Sequence, residues 1–417
     1  MATKSVSDID LSGKSVFMRV DFNVPIKAGK ITNDRRIVMA LPTIRYAIDK
    51  GAKLVLATHL GRPAETGFEP DFSTRPAAER LAQLLGIPVR LGPPEVVGPI
   101  AEEMAASLKA GEVILLENVR FDPGETIADK AKKNPDKKLT EDQQAVLDRF
   151  VAGLGALGEV YVNDAFGTCH RKHASMFGVA KAIQKKGGPA VAGFLVEKEI
   201  RYLHEAVASP KRPFVAILGG AKVSDKIKLI SNLLDKVDRI LIGGAMAYTL
   251  LRAKGVTTGK SLVEADQVEE MKALLARAGG KILLPVDHVA TDDFESGLPM
   301  PIDGVDIPDG LMGLDIGPRT IALFCAVIAK AGTIVWNGPM GVFEKAAFAV
   351  GTRSVAEAVG DATSKGAVSV IGGGDSAAAV EQMGLEDRMS HISTGGGASL
   401  EYLEGRAMPP IDVLDSK

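Results

Sequence analysis

The residues best suited to anion chemistry fall into two sets, one in each half of the chain. In the second half, Ala216-Ile-Leu-Gly-Gly-Ala-Lys-Val-Ser-Asp-Lys226, Val370-Ile-Gly-Gly-Gly-Asp-Ser376 and Ser393-Thr-Gly-Gly-Gly-Ala-Ser399 each run into a helical pattern. Glycines there leave backbone N–H groups open, and the positive end of a helix dipole favours phosphate. In the first half the corresponding turns are Thr58-His-Leu-Gly-Arg-Pro63, Glu117-Asn-Val-Arg-Phe121 and Asn163-Asp-Ala-Phe-Gly-Thr-Cys-His-Arg171, which carry side-chain cations instead. Guanidinium forks match phosphate oxygens bidentately. Two kinds of anion-binding turn in two halves predict two ligands on two domains.

Composition allows such an arrangement. A chain of 417 residues with 46% hydrophobic content can fill the cores of two or three domains. A formal charge of -2 provides no overall attraction to nucleic acid or to an acidic membrane, so neither is expected as a partner and any anion site must be a local cluster. Cys169 and Cys325 are the only cysteines, too few for a disulfide framework or a zinc site, which suits a reducing compartment. No apolar run reaches the roughly 18 residues of a spanning helix; Ile321 to Trp336 is interrupted by Lys330. With no signal-like apolar stretch at the N-terminus, the expectation is a soluble cytoplasmic protein.

Short β-rich runs alternate with longer helical patterns. Strands are expected at Ser15 to Val20, Lys53 to Ala57, Val113 to Leu116 and Glu159 to Val162, with helices such as Arg36 to Lys50 and Arg75 to Leu85 between them. The second half repeats the alternation at Phe214 to Leu218, Arg239 to Ile242, Lys281 to Leu284, Thr333 to Trp336 and Ser369 to Ile371. Near-continuous apolar strands separated by helices predict two α/β domains, each a doubly wound, Rossmann-like parallel sheet. The boundary is expected near Lys185-Lys-Gly-Gly-Pro189, giving domains over 1–185 and 190–399, with a hinge helix over Phe194 to Ala208 joining them. The stretch 400–417 is expected to return to the first domain. The charged insert Asp129 to Asp142 is expected to be a solvated surface excursion.

Two motifs fail on context. Gly153-Leu-Gly-Ala-Leu-Gly158 spells a dinucleotide fingerprint but follows a helix and precedes a strand, the reverse of the required order. Gly255-Val-Thr-Thr-Gly-Lys-Ser261 resembles a phosphate-binding loop with one residue too few between its glycines, so a surface turn is expected. Gly372-Gly-Gly-Asp-Ser-Ala377 does follow a strand and open a helix, yet Asp375 would repel a bare pyrophosphate and is better suited to holding Mg²⁺ against nucleotide phosphates.

Seven segments together resemble the signature segments of the phosphoglycerate kinase family in order and spacing. They are Arg19-Val-Asp-Phe-Asn-Val-Pro25, Thr58 to Pro63, Asn163 to Arg171, Gly219 to Lys226, Trp336-Asn-Gly-Pro339, Gly372 to Asp375 and Thr394 to Leu400. Departures are mild: Cys169 and Lys172 stand where the family often has alanine, and Arg406 where lysine is common. The resemblance implies that the first domain binds 3-phosphoglycerate or 1,3-bisphosphoglycerate. Asp21 and Asn23 would hold the hydroxyl and carboxyl end, and His59, Arg62, Arg120, His170 and Arg171 the non-transferred phosphate; Arg36 would reach the transferring group. His173 could equally be a packed imidazole.

For the second domain the resemblance implies ATP or ADP with Mg²⁺. Lys222 would act on the transferring phosphoryl and Lys226 on the α- and β-phosphates. Gly243, Gly244, Gly313 and Leu314 would flank adenine, Asn337 would approach the phosphates and Glu344 the ribose hydroxyls. Gly372, Gly373, Gly374, Asp375 and Ser376 would form the metal-nucleotide turn, with Asp375 as metal ligand. Gly395, Gly396 and Gly397 would offer N–H groups to the γ-phosphate, Gly396 among the catalytic groups. The acceptor in the ATP-consuming direction is a carboxylate, ionised at neutral pH with a reference pKa of about 3.5, so no general base is required. Direct in-line transfer by a monomer, driven by positioning and charge stabilisation, is the expectation. A nucleotide-dependent dehydrogenase and a non-catalytic nucleotide-sensing protein are the alternatives; the first would account for Gly372 to Ala377, and the second has no need of the cationic turns.

Overall fold

The computed structural model describes residues 3–134 and 136–417, so Pro135 of the charged insert lies outside the described residues. The chain forms two compact units, one ending at Ile200 and completed by Ala407–Lys417, the other Arg201–Arg406. The helix Phe194–Ala208 carries the chain from the first unit into the second.

The first unit is built on a six-stranded parallel sheet in the order Val89–Leu91, Val113–Leu115, Lys53–Ala57, Ser15–Val20, Val160–Asp164, Ala190–Ala192. Its central strands are buried on both faces, as an apolar run covered by helices requires. Helix Arg75–Leu85 stops at Gly86, whose φ of 75° is left-handed and open to glycine at little cost. Helix Glu141–Ala156 opens with a capping box between Thr140 and Gln143. At the start of Phe194–Ala208, Asp164 Oδ1 accepts from Leu195 N at 2.9 Å; burial pushes this carboxyl up to about 7 against those backbone bonds. The C-terminal segment is stitched to this unit: Lys4 N donates to Asp415 O at 2.7 Å and Asn163 Nδ2 to Pro410 O at 3.1 Å. Residues 400–406 belong to the second unit, where Asn232 Nδ2 donates to Leu403 O.

The second unit has its own six-stranded parallel sheet, ordered Ile282–Leu283, Arg239–Ile242, Phe214–Leu218, Thr333–Asn337, Val368–Gly372, His391–Ile392. This is the 3-2-1-4-5-6 order of the doubly wound fold, with its switch point between Phe214–Leu218 and Thr333–Asn337. A three-stranded antiparallel sheet of His288–Thr291, Met300–Ile302 and Met312–Ile316 lies outside the expected pattern. Pro301, Gly313 and Asp315 break the apolar runs of those strands, and for that reason the periodicity does not reveal them. The short strands Val89–Leu91, Ala190–Ala192 and His391–Ile392 were likewise not foreseen. Gly153 to Gly158 spans the end of helix Glu141–Ala156 and leads into a strand, which excludes the dinucleotide turn. Among the described residues no helix is long and apolar enough to cross a membrane.

At the switch point, backbones approach too closely for any side chain. A Cβ on Gly219 would collide with the carbonyl oxygen of Pro339 and lie 2.8 Å from that of Gly338. Gly219→Ala is therefore expected to destabilise the protein by about 1–3 kcal/mol, the range of an overpacked site. Urea unfolding checks it; an unchanged midpoint would mean that the Pro339 turn yields freely.

Candidate active site

In the first unit, the carboxyl ends of four neighbouring strands gather the cations. Asp21 and Asn23 follow Ser15–Val20, His59 and Arg62 follow Lys53–Ala57, Arg120 follows Val113–Leu115, and His170 and Arg171 follow Val160–Asp164. In a parallel α/β sheet this is the edge where ligands bind. Arg36, in the first turn of helix Arg35–Asp49, donates to Asp21 Oδ2 at 2.6 Å. The turn after Lys53–Ala57 is clamped from both sides: Gly61 N donates to Asn23 Oδ1 at 2.9 Å, and Arg120 Nη1 donates to Gly61 O at 2.7 Å. Arg171 Nε donates to His170 Nε2 at 3.0 Å. Arg62 is exposed and has no ion-pair partner among the described residues.

Behind these groups lies a layer that sequence reasoning did not assign. Arg19 is fully buried; its Nε donates to Ser175 Oγ at 2.8 Å, its Nη1 to the Val20 carbonyl, and its Nη2 lies 3.1 Å from His59 Nδ1. Glu125 accepts from Ser175 N at 2.9 Å and Ser175 Oγ at 2.7 Å, and stands 3.9 Å from Arg19. Arg19 was visible in its motif, but nothing local in the sequence marks it as buried. A guanidinium has no acceptor, so His59 Nδ1 must accept and the ring proton sits on Nε2. Burial, then the charges of Arg19, Arg120, His173 and Arg36, hold the His59 imidazole well below its usual range. His59 is thus a neutral hydrogen-bond donor in this pocket rather than a cation. Burial also lowers Arg120 from its usual value.

In the second unit, a cleft of about 640 Å³ is lined by Gly244, Gly313, Leu314, Glu344 and Asp375 together with Leu262, Phe294, Met312 and Val342. The apolar members suit a flat ring, and two carboxylates, Glu344 and Asp375, line the same cleft. Lys260 and Leu262 also line it, so the turn expected to be mere surface contributes a wall. The amides of Gly243 and Gly244 are taken by Leu218 O at 2.9 Å and Met340 O at 2.8 Å, so these glycines act by lacking side chains, not by donating. The Lys226 ammonium donates to Asn337 Oδ1, and Asn337 Nδ2 donates to Gly372 O at 2.8 Å. Burial lowers Lys226 while Asp225, Asp375 and Glu404 oppose the shift. Lys222 is exposed.

Helix Gly374–Gln382 starts directly after Val368–Gly372, with Gly373 at φ 91° and Asp375 in its first turn. Ser376 Oγ accepts from Gly338 N at 2.5 Å, which ties the turn after Thr333–Asn337 to the turn after Val368–Gly372. Gly395 departs from expectation: its amide donates to Ser393 Oγ at 3.1 Å, so Gly396 and Gly397 carry the open N–H groups of that turn among the described residues.

The phosphoglycerate kinase family model matches residues 6–406. Similar curated proteins include the phosphoglycerate kinase of Lactobacillus gasseri, 53% identical over 417 residues and covering 100% of both chains. That of Thermosipho africanus is 52% identical over 100% of this chain and 99% of its own. Among solved structures, phosphoglycerate kinase from Coxiella burnetii superposes with a TM-score of 0.85 at 39% identity, covering 99% of this chain and 98% of that one. The Pyrococcus horikoshii enzyme gives 0.81 at 36% identity with the same coverage. The chain belongs to the phosphoglycerate kinase family.

Family membership makes ATP or ADP the co-substrate, used with Mg²⁺, and the cleft fits a metal that arrives with its nucleotide. Among the described residues no three His, Cys, Asp or Glu side chains cluster as a complete ligand set. Asp375 stands on the cleft wall, and Mg²⁺ commonly takes one or two carboxylates and completes its octahedron with phosphate oxygens and water.

The neutral His59 has a measurable consequence. Its pKa is depressed in the folded state, so the unfolded chain binds more protons there as pH falls through about 6.5, and the stability carried by the neutral ring is lost in that window. We expect the His59 ring resonances to keep their neutral positions as pH falls through about 6.5, where a free imidazole titrates, and the unfolding free energy to decline below that pH. A His59 titration near the unperturbed value would refute this.

Proposed function

We propose that the first unit holds 3-phosphoglycerate or 1,3-bisphosphoglycerate and that Arg201–Arg406 holds the magnesium nucleotide. The chain is a phosphotransferase with a carboxyl acceptor, moving a phosphoryl group reversibly between 1,3-bisphosphoglycerate and ADP to give 3-phosphoglycerate and ATP in glycolysis and gluconeogenesis. The observation that carries the residue assignment is the presence, in one chain, of a cation-lined strand edge and a separate glycine-walled cleft.

Arg62, Arg120, His170 and Arg171 hold the non-transferred phosphate, with neutral His59 donating from Nε2, and Asp21 and Asn23 hold the hydroxyl and carboxyl end. Asp21 keeps Arg36 extended toward its ligand through their 2.6 Å pair. In the cleft, Gly244, Gly313 and Leu314 enclose adenine, with Gly243 preceding Gly244 in the same turn, and Glu344 accepts from ribose; Lys226 and Asn337, paired with each other, attend the phosphates. Asp375 is the metal's protein ligand beside Gly372, Gly373, Gly374 and Ser376. Bound Mg²⁺ supplies charge neutralisation on the phosphates. Lys222, Arg36 and the amides of Gly396 and Gly397 stabilise the transferring phosphoryl, with Gly395 shaping that turn.

The carboxylate acceptor is already ionised, so no residue removes a proton, and catalysis consists of positioning and charge stabilisation. In-line transfer requires reacting atoms about 3–3.5 Å apart. Helix Phe194–Ala208, which passes from one unit to the other, is the element we assign as hinge. We place the protein in the cytoplasm as a monomer: both cysteines are unpaired, and one chain supplies every assigned contact.

A coupled assay of 3-phosphoglycerate-dependent ATP consumption tests the function, and folded protein without activity would end it. Lys222→Ala is expected to lower kcat by about 10²–10³ with modest change in KM, the usual loss for one preorganised charge; near-normal kcat would reassign Lys222 to the surface. Asp375→Asn should raise the Mg²⁺ concentration needed for half-maximal rate while leaving 3-phosphoglycerate binding intact. An unchanged magnesium profile would make Asp375 a helix-terminus residue only.

A further inference from the structure

The start of the charged insert does not stand off in solvent. Lys130, Lys132, Lys133, Lys137 and Lys138 are exposed, but the residues before them are fastened inward at three points. Glu125 accepts from Ser175 N and Oγ, Thr126 Oγ1 donates to Glu65 Oε1 at 2.6 Å, and one oxygen of Asp129 serves two partners. That oxygen, Oδ2, accepts from Arg171 Nη1 at 3.1 Å and lies 3.2 Å from Nε2 of the buried His173. Segment 125–129 thereby joins the turn that follows Arg62 to the turn that carries His170 and Arg171.

We propose that Asp129 is a positioning residue for the phosphate pocket, holding the Arg171 guanidinium in its binding orientation before substrate arrives. The inference rests on the reading that Arg171 binds the non-transferred phosphate. Arg171 is gripped on two edges, by Asp129 at Nη1 and by His170 at Nε, which leaves the Nη2 end of the fork for a ligand. A guanidinium fixed in plane and rotation loses less side-chain freedom on binding phosphate than one on a free stem.

Asp129 could instead compete with the phosphate for Arg171, and the exposures decide between the two effects. The side chains of Asp129 and Arg171 are 38% and 45% exposed, so the attraction between their charges is screened by solvent although the hydrogen-bond geometry is kept. A dianionic phosphate therefore gains little from its removal. The His173 contact is different, because His173 is 1% exposed and its ring would lose a buried partner. The Asp129 carboxyl, lowered to about 2 chiefly by its hydrogen bond to His173, stays ionised throughout the neutral range. Positioning wins over competition.

The test compares Asp129→Asn, Asp129→Glu and Arg171→Ala in the full chain, each with its thermal unfolding recorded and with 3-phosphoglycerate and ATP titrated separately. The non-transferred phosphate changes little between ground and transition states, so its contacts act on KM. Asp129→Asn is expected to raise the KM for 3-phosphoglycerate about 5- to 10-fold, with much smaller changes in kcat and in the KM for ATP. Asp129→Glu, which keeps the charge, should recover part of that loss. A fall in KM would establish competition and overturn the proposal. A normal KM in Asp129→Asn alongside a raised one in Arg171→Ala would overturn it while sparing the site reading, and a normal KM in Arg171→Ala would overturn both. Should Asp129→Asn fail to fold, Asp129→Glu decides by the same split.

Discussion

A guanidinium with no access to solvent lies under the first unit's pocket, and the pocket's chemistry follows from how that charge is accommodated. Taking an isolated ion out of water costs several kcal/mol, so Arg19 persists only because Ser175, the Val20 carbonyl, His59 and Glu125 surround it. Each partner is then committed. His59 must turn Nδ1 inward and stay neutral, which leaves its proton on Nε2. Glu125 must stay at 3.9 Å, which also fixes Ser175 and the turn behind His170. One buried charge thus determines the tautomer of the His59 ring and the position of a strand-end turn, and surface cations alone could specify neither.

The second unit reaches the same end by close approach of backbones. Gly338 and Gly244 hold left-handed φ values of 99° and 66°, and a Cβ on Gly244 would lie 2.6 Å from Gly220 N. The Gly244 contact brings the turn after Arg239–Ile242 against the one after Phe214–Leu218, the Gly338 turn closes on Gly219 at the switch point, and Ser376 binds the turn after Val368–Gly372 to it. A cleft walled by peptide groups suits a ligand whose phosphates must be approached closely and whose flat base needs only an apolar slot.

Legibility from sequence tracked how local each determinant is. Ser15–Val20, Lys53–Ala57, Phe214–Leu218 and Arg239–Ile242 were readable to the residue, because a strand covered on both faces must be continuously apolar. Val89–Leu91, Ala190–Ala192 and His391–Ile392 were not, since three or fewer residues at or near a sheet edge carry no period and are defined by their neighbours. The candidate site residues were legible as types on turns. Arg19 reads like any charged residue in a strand, and its burial depends on Ser175, 156 positions away. Asp129 reads as part of a lysine-rich excursion, and its pairing with Arg171 spans 42 positions. Lys260 was dismissed with a failed motif, although it lines the cleft.

The two halves differ in what each anion must do. The non-transferred phosphate keeps its charge and place throughout the reaction, so strong side-chain cations that bind ground and transition states alike are suitable there and govern KM. The transferring phosphoryl redistributes charge, and only contacts that strengthen along the way accelerate it. On the proposed assignment, open peptide N–H groups at Gly396 and Gly397 and the Lys222 ammonium meet that change at small reorganisation cost. A rigid cluster of buried arginines there would hold the reactant as tightly as the transition state. On that assignment, side-chain cations on the spectator phosphate and backbone donors on the moving one divide the chain's binding energy between recognition and rate.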